Sequence, residues 1–422
     1  MWAGVSAADA QSPVAGTPKR AQATRIKGAA PHIDGALDDA AWQAAEPIGD
    51  FVQKSPVEGA APTERTEVRF LYDDDAIYVG ARMYRHDPRA IRTSVTRRDG
   101  DSDAEVLVIS LDTYLDRRTA YSFAISSGGV RKDYYHTQDF EDFSVELGFD
   151  PVWLAKARVD SLGWTAEARI PFSQLRFSRG GKQLWGLELR RTTPDRHEDD
   201  YWVLIPKAAA GFASYFGLLE GIDGIKPSRR LEILPYTSGG LTLQGKVDPI
   251  DPFNRKTQGR AGSDVKMGLG PNLTLDGTVN PDFGQVEADP AVVNLTAFET
   301  FYDERRPFFI EGSENLTGRG LSFLGRPIYF YSRRIGSSPH GAASGDFVKA
   351  PLNTTILGAA KVTGRLPSGL TIGALASATP REWARTYDTL TRQFSRAAVE
   401  PPAGFGVVRM QQEIGKEHST LG

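Results

Sequence analysis

The strongest constraint on this chain is a period of two. Residues 66–72 alternate, Asp73, Asp74 and Asp75 form an acidic break, and residues 76–84 alternate again. In an extended chain successive side chains point to opposite faces, and a short polar break lets the chain turn back, so this run predicts a β-hairpin. Comparable segments cover residues 104–112, 119–126, 152–159, 164–170, 185–191 and 201–205. Trp153, Ala155, Ala157 and Val159 share one face of their strand, and Trp164, Ala166, Ala168 and Ile170 share one face of the next. Strands at this spacing predict an all-β fold, with an antiparallel, jelly-roll-like β-sandwich over residues 25–220. The 43 glycines and 26 prolines supply the turns such a fold needs.

The texture changes after a hinge at residues 221–228. Residues 231–244, 263–270, 272–279, 328–333, 354–365, 369–377 and 405–414 are poor in large core residues and rich in Gly, Thr and Ser. They alternate one apolar residue with one polar or small residue. A transmembrane β-barrel alternates this way, apolar toward lipid and polar toward the lumen, and so does a soluble meander. Residues 229–422 therefore predict an incomplete outer-membrane-type antiparallel barrel or a meander. The alternation breaks at Asn280, Pro281 and Asp282. Beyond it Glu299, Glu304, Arg305, Arg306 and Glu311 interleave with Phe301, Phe308, Phe309 and Ile310. Arginine pairs carboxylates through two bonds at once, and the phenylalanines pull the segment into a packed state, so an ordered charge network is expected inside the barrel or at its mouth.

Several chemistries are excluded or left without residues. With no cysteine there is no disulfide, thiol nucleophile or cysteine zinc site. A formal charge of −3 gives no general attraction to nucleic acid. No apolar run is long enough for a transmembrane helix. The six histidines form no HExxH spacing, and neither a GxSxG elbow nor a phosphate-binding loop is present, so no catalytic residue is assigned. The opening residues are small and apolar and end in Ala8-Asp9-Ala10, which reads as the tail of a secretory signal. Residues 11–24 read as a linker.

Sugar binding needs an aromatic face and polar side chains beside it. Tyr134 and Tyr135 follow Val130, Arg131, Lys132 and Asp133 in a loop-like region, Trp153 opens a strand beside it, and Arg98 lies in a charged run. Trp153 also has a core reading, since it shares a face with Ala155 and Ala157. Trp42, Trp164 and Trp185 read as core. Asp99, Asp101 and Asp103 alternate carboxylates as a calcium loop can, although Ala104 stands where an EF-hand loop needs glycine; a solvated acidic turn is the other reading. No cofactor is required, and calcium is the candidate ion.

Four fragments in order carry a resemblance: IDGALDDAAW (33–42), VRFLYDDDAIYVGARM (68–83), AEVLVISLD (104–112) and GWTAEARIPFSQLRF (163–177) followed by WGLELRR. Together they resemble the family 9 carbohydrate-binding module. The resemblance implies a β-sandwich that binds polysaccharide or oligosaccharide, with calcium in some members. Residues 271–312, PNLTLDGTVNPDFGQVEADPAVVNLTAFETFYDERRPFFIEG, are similar to a signature of bacterial envelope proteins of unknown function, in which such a module precedes a longer barrel-like domain. That resemblance implies a truncated member with outer-membrane lipid as a partner of the full barrel, located in the outer membrane or periplasm of a Gram-negative bacterium. The expected function is polysaccharide binding accessory to carbohydrate catabolism or uptake. Two alternatives stay open: a secreted glycoside hydrolase with an N-terminal binding module, and a structural envelope scaffold.

Overall fold

The computed structural model describes residues 18–421 except 142–144, 147–148, 179, 226–230, 244–247, 249, 254, 271–272, 282–301, 303, 305, 317–329, 367 and 415–418. The described chain is almost wholly β and separates into two compact units, Met1–Ser228 and Arg229–Gly422.

The strands of the first unit are β1 (Arg20–Arg25), β2 (Val52–Ser55), β3 (Thr66–Tyr72), β4 (Ala76–Tyr84), β5 (Val106–Asp112) and β6 (Ala120–Ser126). They continue with β7 (Arg131–His136), β8 (Val145–Glu146), β9 (Leu154–Asp160), β10 (Gly163–Pro171), β11 (Trp185–Thr193), β12 (Glu198–Tyr201) and β13 (Gly217–Glu220). A front sheet runs β8-β7-β6-β5-β11-β13, and a back sheet runs β3-β4-β10-β9. One core lies between them. Ile109, Phe123 and Leu189 of the front sheet meet Phe70, Val79 and Trp164 of the back sheet.

β1 joins the two sheets. Its residues Arg20–Gln22 lie parallel to β13, and Ala23–Arg25 lie parallel to β3. The sequence reading put residues 11–24 in a linker, and the structure corrects this from Arg20 onward. A six-residue strand whose partners are distant in sequence leaves no local turn signal to read.

The back sheet is covered on both faces. On its outer side Trp42, Leu71 and Tyr78 form a second small core, with Ile33 and Leu37 against it. Glu167 of β10 holds that cover in place. Its carboxylate accepts from the amides of Asp34 (3.0 Å) and Gly35 (2.8 Å) and from Trp42 Nε1 (2.8 Å). Gly80 of β4 is needed for close approach: a Cβ there would lie 2.8–2.9 Å from Leu37 and Trp42. The acidic and aromatic motifs around Ile33 and Trp164 are therefore a structural clasp. They leave the outer face of the front sheet as the open face of the sandwich.

The second unit contains β14 (Leu231–Leu243), β15 (Arg255–Leu269), β16 (Leu273–Val279), β17 (Phe347–Lys349) and β18 (Gly358–Arg365). It continues with β19 (Leu370–Thr379), β20 (Glu382–Asp388), β21 (Gln393–Glu400), β22 (Ala403–Ile414) and β23 (Ser419–Leu421). A barrel-like antiparallel sheet runs β14-β15-β16-β18-β19-β22-β23, and a small sheet runs β17-β20-β21. The hairpin of β19 and β22 continues into β20 and β21. Pairing passes from Leu370↔Gln412 to Thr379↔Ala403 in the large sheet, then from Glu382↔Glu400 to Asp388↔Gln393 in the small one.

The large sheet has inverted polarity. Its covered face carries Thr274, Asp276, Thr278, Lys361, Thr363 and Ser377, all buried. Its other face exposes Leu231, Ile233, Val279, Val408 and Met410, with Val408 67% and Ile233 62% accessible. Register lines up Lys266, Asp276 and Lys361 across β15, β16 and β18. A packed segment covers this row. Its short helix α1 (Pro307–Ile310) lets the Lys361 ammonium donate to the carbonyls of Phe308 and Glu311. Phe309, Leu316 and Ile335 pack with Leu375 of β19.

Candidate functional site

The open face of the front sheet is a cleft of about 510 Å3. Its geometry follows from the period of two. Leu107, Ile109 and Leu111 of β5 and Tyr121, Phe123 and Ile125 of β6 point into the core. The intervening residues Val106, Val108, Ser110, Ala124 and Ser126 are small and form the cleft floor. Longer side chains from the flanking strands rise around it. Register places Glu188, Ser110, Ser122 and Tyr134 in one row across β11, β5, β6 and β7. The next row is Arg190, Val108, Ala124 and Lys132. Three strand steps, roughly 14 Å, separate Arg190 from Lys132.

A hydrogen-bonded chain stiffens the floor. Ser110 and Ser122 hydroxyls are 2.7 Å apart, and Ser122 Oγ is 3.0 Å from His136 Nε2. His136 Nδ1 is 3.1 Å from the Phe140 carbonyl. Burial pulls the His136 pKa down to about 4, so the ring is neutral at physiological pH. Ser122 and His136 are both buried, and this chain serves as scaffold.

The wall beyond β11 is charged. Glu141 accepts from Lys54 Nζ (2.7 Å), Arg190 Nη1 (2.9 Å) and the Tyr201 hydroxyl. Burial pushes the Glu141 carboxyl up, but Arg190, Lys54 and Tyr201 outweigh it and hold the group below its ordinary range. Glu188 behaves in the opposite way. Its Oε1 accepts from the amides of Leu189 (3.0 Å) and Val203 (2.9 Å), while Oε2 is buried without a partner. Burial raises its pKa to about 8, so the cleft floor carries a neutral carboxylic acid beside an ionised one.

The structure separates the sugar-binding residues expected from sequence. Tyr134 lines the cleft from β7, a strand where the sequence suggested a loop. Tyr135 points the other way and packs against the core. Trp153 is 1% exposed in the core, so its ring cannot stack on a ligand. Its Nε1 donates to Asp133 Oδ1 at 2.9 Å. Arg98 serves the same cluster, reaching Asp133 (2.7 Å), Asp150 (2.7 Å) and the Pro151 carbonyl (2.7 Å). Strand alternation puts Tyr135 and Asp133 on the core side of β7, and Trp153, just before β9, and Arg98, in a turn, meet Asp133 there. Lys54, Glu141, Glu188, Arg190 and Tyr201 were missed. Glu188 and Arg190 had a signal, two charges at alternate positions of a strand whose other face is Leu187 and Leu189.

The proposed calcium ligands do not converge. Asp99 Oδ1 accepts the Asp133 amide (3.1 Å), Asp101 pairs with Lys132 (2.6 Å), and Asp103 pairs with Arg92 (2.9 Å) and Ser94. Among the described residues no cluster of three or more His, Asp or Glu could hold a metal ion.

In the second unit, Arg306 grips Glu304 through two bonds of 2.7 and 2.6 Å and donates to the carbonyls of Ile335 (2.6 Å) and Ser332 (2.8 Å). Its guanidinium lies 4.2 Å from the Phe309 ring centroid. Glu311 pairs with Lys266 instead. Glu299 and Arg305 lie outside the described residues. Among those described, no helix is long and apolar enough to cross a membrane, which leaves strands unaddressed.

No curated protein matches the chain. Among solved structures, a family 9 carbohydrate-binding module from Caldicellulosiruptor kristjanssonii in complex with cellotriose is 19% identical, with a TM-score of 0.35. That match covers 49% of this chain and 95% of the module. A module of the same family and organism in complex with glucose gives the same identity and TM-score over 50% of this chain and 97% of its own. The second unit has a family match of its own: residues 227–421 match the family described as "Domain of unknown function (DUF5916)".

Proposed function

We propose that the first unit binds a saccharide in the front-sheet cleft and that the second unit seats the chain in a bacterial outer membrane, as an accessory to carbohydrate capture or uptake. The observation that carries the binding reading is the cleft itself. A floor of small side chains lies below the Tyr134 ring, with Lys54, Glu141, Arg190 and Tyr201 fanned beside it. Rings offer sugars a stacking face, and fixed charged groups bond vicinal hydroxyls. The envelope reading is supported by the inverted sheet, since exposed leucine and valine above buried lysine and aspartate suit hydrocarbon outside and polar groups inside.

Affinity electrophoresis of the full chain against a panel of polysaccharides tests the first part. Retardation by at least one glycan, lost in Tyr134→Ala with folding intact, is the expected result. Migration unaffected by every glycan would remove the reading. The hydrolase alternative has one observation in its favour, the neutral Glu188 and ionised Glu141 in one cleft. Against it, Glu188 is buried and held by two backbone amides. Release of reducing ends from a retained glycan, abolished by Glu141→Gln, would establish it.

A further inference from the structure

We infer that a proton shared between Glu198 and Asp200 latches one wall of the cleft, holding it closed in acid and loosening it as pH rises past neutral. The wall is built on β12. The cleft side of this strand carries Tyr201, opposite Arg190 of β11, with its hydroxyl donating to Glu141. The other side carries Glu198 and Asp200, 4% and 1% exposed. Side chains two apart on a strand share a face, so the two carboxyl groups meet, and a hydrogen bond joins them. Two carboxyl groups bond in this way only with a proton between them.

That bond anchors more than the pair. Among the described strands β2 pairs only with β12, with Gln53 opposite Asp200 and Ser55 opposite Asp199. The register shifts between those two pairs, at Lys54. The Lys54 ammonium passes 4.7 Å from the Tyr201 ring centroid and reaches Glu141 at 2.7 Å. Glu198 also accepts from the Thr63 amide (2.7 Å) and hydroxyl. Gln53 bonds Glu198 and accepts the Val57 amide (3.0 Å). The acid pair therefore ties β2, the turn after it and Thr63 to β12. Lys207 ties the same turn through exposed bonds to Glu58 and the Pro56 carbonyl.

The charges around the pair do not replace the proton. Arg191 of β11 stands opposite Asp200 and is the cation facing it. Its guanidinium is already engaged by Glu105, the Arg65 and Tyr84 carbonyls and the Thr66 hydroxyl. Asp199 adds a negative charge from the next position, where it accepts from the Thr192 hydroxyl (2.7 Å). Gln53 and Thr63 are neutral. Burial, reinforced by the Glu198 charge, raises the Asp200 pKa to about 7, above its unfolded value. The stability this proton contributes is fully present at acid pH and is lost as pH rises through the folded pKa. Two buried carboxylates then repel, and β2 is released from β12 with Lys54 on it. The movement of the wall does not depend on what the cleft holds; its effect on saccharide rests on the function proposed above.

The chain has no cysteine, so Val57→Cys, at an exposed position of the turn after β2, takes a single nitroxide label. The electron paramagnetic resonance spectrum of the labelled full chain should be immobile at about pH 5 and mobile at about pH 9. Asp200→Asn, whose amide donates to Glu198 without titrating, should stay immobile throughout, and Glu198→Gln should do the same. Glu188→Gln should keep the transition, which separates the latch from the other raised carboxyl of the cleft. A label equally mobile at both pH values, or a transition unchanged in both pair variants, would overturn the inference. So would a transition that coincides with loss of the far-ultraviolet circular dichroism of the fold. Affinity electrophoresis at the same two pH values reads the consequence. A glycan held in acid, released in base and held at both by Asp200→Asn supports the latch and the saccharide reading together. A label transition with no glycan held at either pH supports the latch and counts against the saccharide reading alone.

Discussion

Single residues in the first unit divide by which side of the front sheet they occupy. Tyr134 and Tyr135 are neighbours in sequence, yet one faces the cleft and the other the core. Tyr134→Ala should weaken glycan binding about tenfold and lower the melting temperature less than Trp153→Ala does, since the ring is half-buried and packs edge-on to His136. Trp153→Ala should instead cost about 3–5 kcal/mol in denaturant unfolding, because it empties a core site and removes one of the donors to the buried Asp133 carboxylate. Glu188 predicts a pH dependence. Its folded pKa is raised to about 8, above the unfolded value, so the folded state holds the proton more tightly. The stability it contributes is fully present at acid pH, falls as pH rises above the unfolded pKa and is gone above the folded one. The difference in unfolding free energy between wild type and Glu188→Gln should therefore decline through neutral pH, by up to about 1.4 kcal/mol per unit. A difference that stays flat from pH 5 to pH 8 would show that Glu188 is ionised in the fold.

At the scale of elements, local signals were legible and distant ones were not. β3 and β4 fall on the residues where the alternation was read, because a hairpin carries its own turn. β7 looked like a loop because Arg131, Lys132 and Asp133 open it. Only the structure shows that Asp133 is buried there by Arg98 and Trp153. The same limit hid the cleft, whose walls come from four strands and from Lys54 and Glu141 outside them. The clasp at Glu167 makes a prediction about elements. Glu167→Ala would leave the Asp34 and Gly35 amides and the Trp42 indole without an acceptor, at a cost of about 2–3 kcal/mol. Hydrogen exchange should show the loss concentrated in residues 33–45, with the cleft strands still protected. In the second unit, Lys361→Met should free the covering segment from β18 and increase proteolysis near Phe308 and Glu311, where the ammonium now holds two carbonyls.

For each unit taken whole, the amount of apolar surface sets the expected behaviour. The first has one large core and a covered back. The second puts valine, isoleucine and leucine on its exposed face. On the outer-membrane reading proposed above, Val408→Arg should reduce retention of the full chain in bilayers, at a cost of about 2–4 kcal/mol at the midplane and less nearer the surface. Sedimentation with neutral vesicles measures it, and unchanged retention would place Val408 outside the hydrocarbon. The shared strand β1 has a consequence in time. Its second half pairs with β3, which follows soon after it in the chain, but its first half pairs with β13, the last strand of the unit. A chain that emerges from the ribosome N-terminus first can seat Ala23–Arg25 early, while Arg20–Gln22 must wait until Gly217–Glu220 exists. The sandwich therefore closes only when its last strand arrives. Until then β1 is a half-paired edge, open to wrong pairing along Arg20–Gln22.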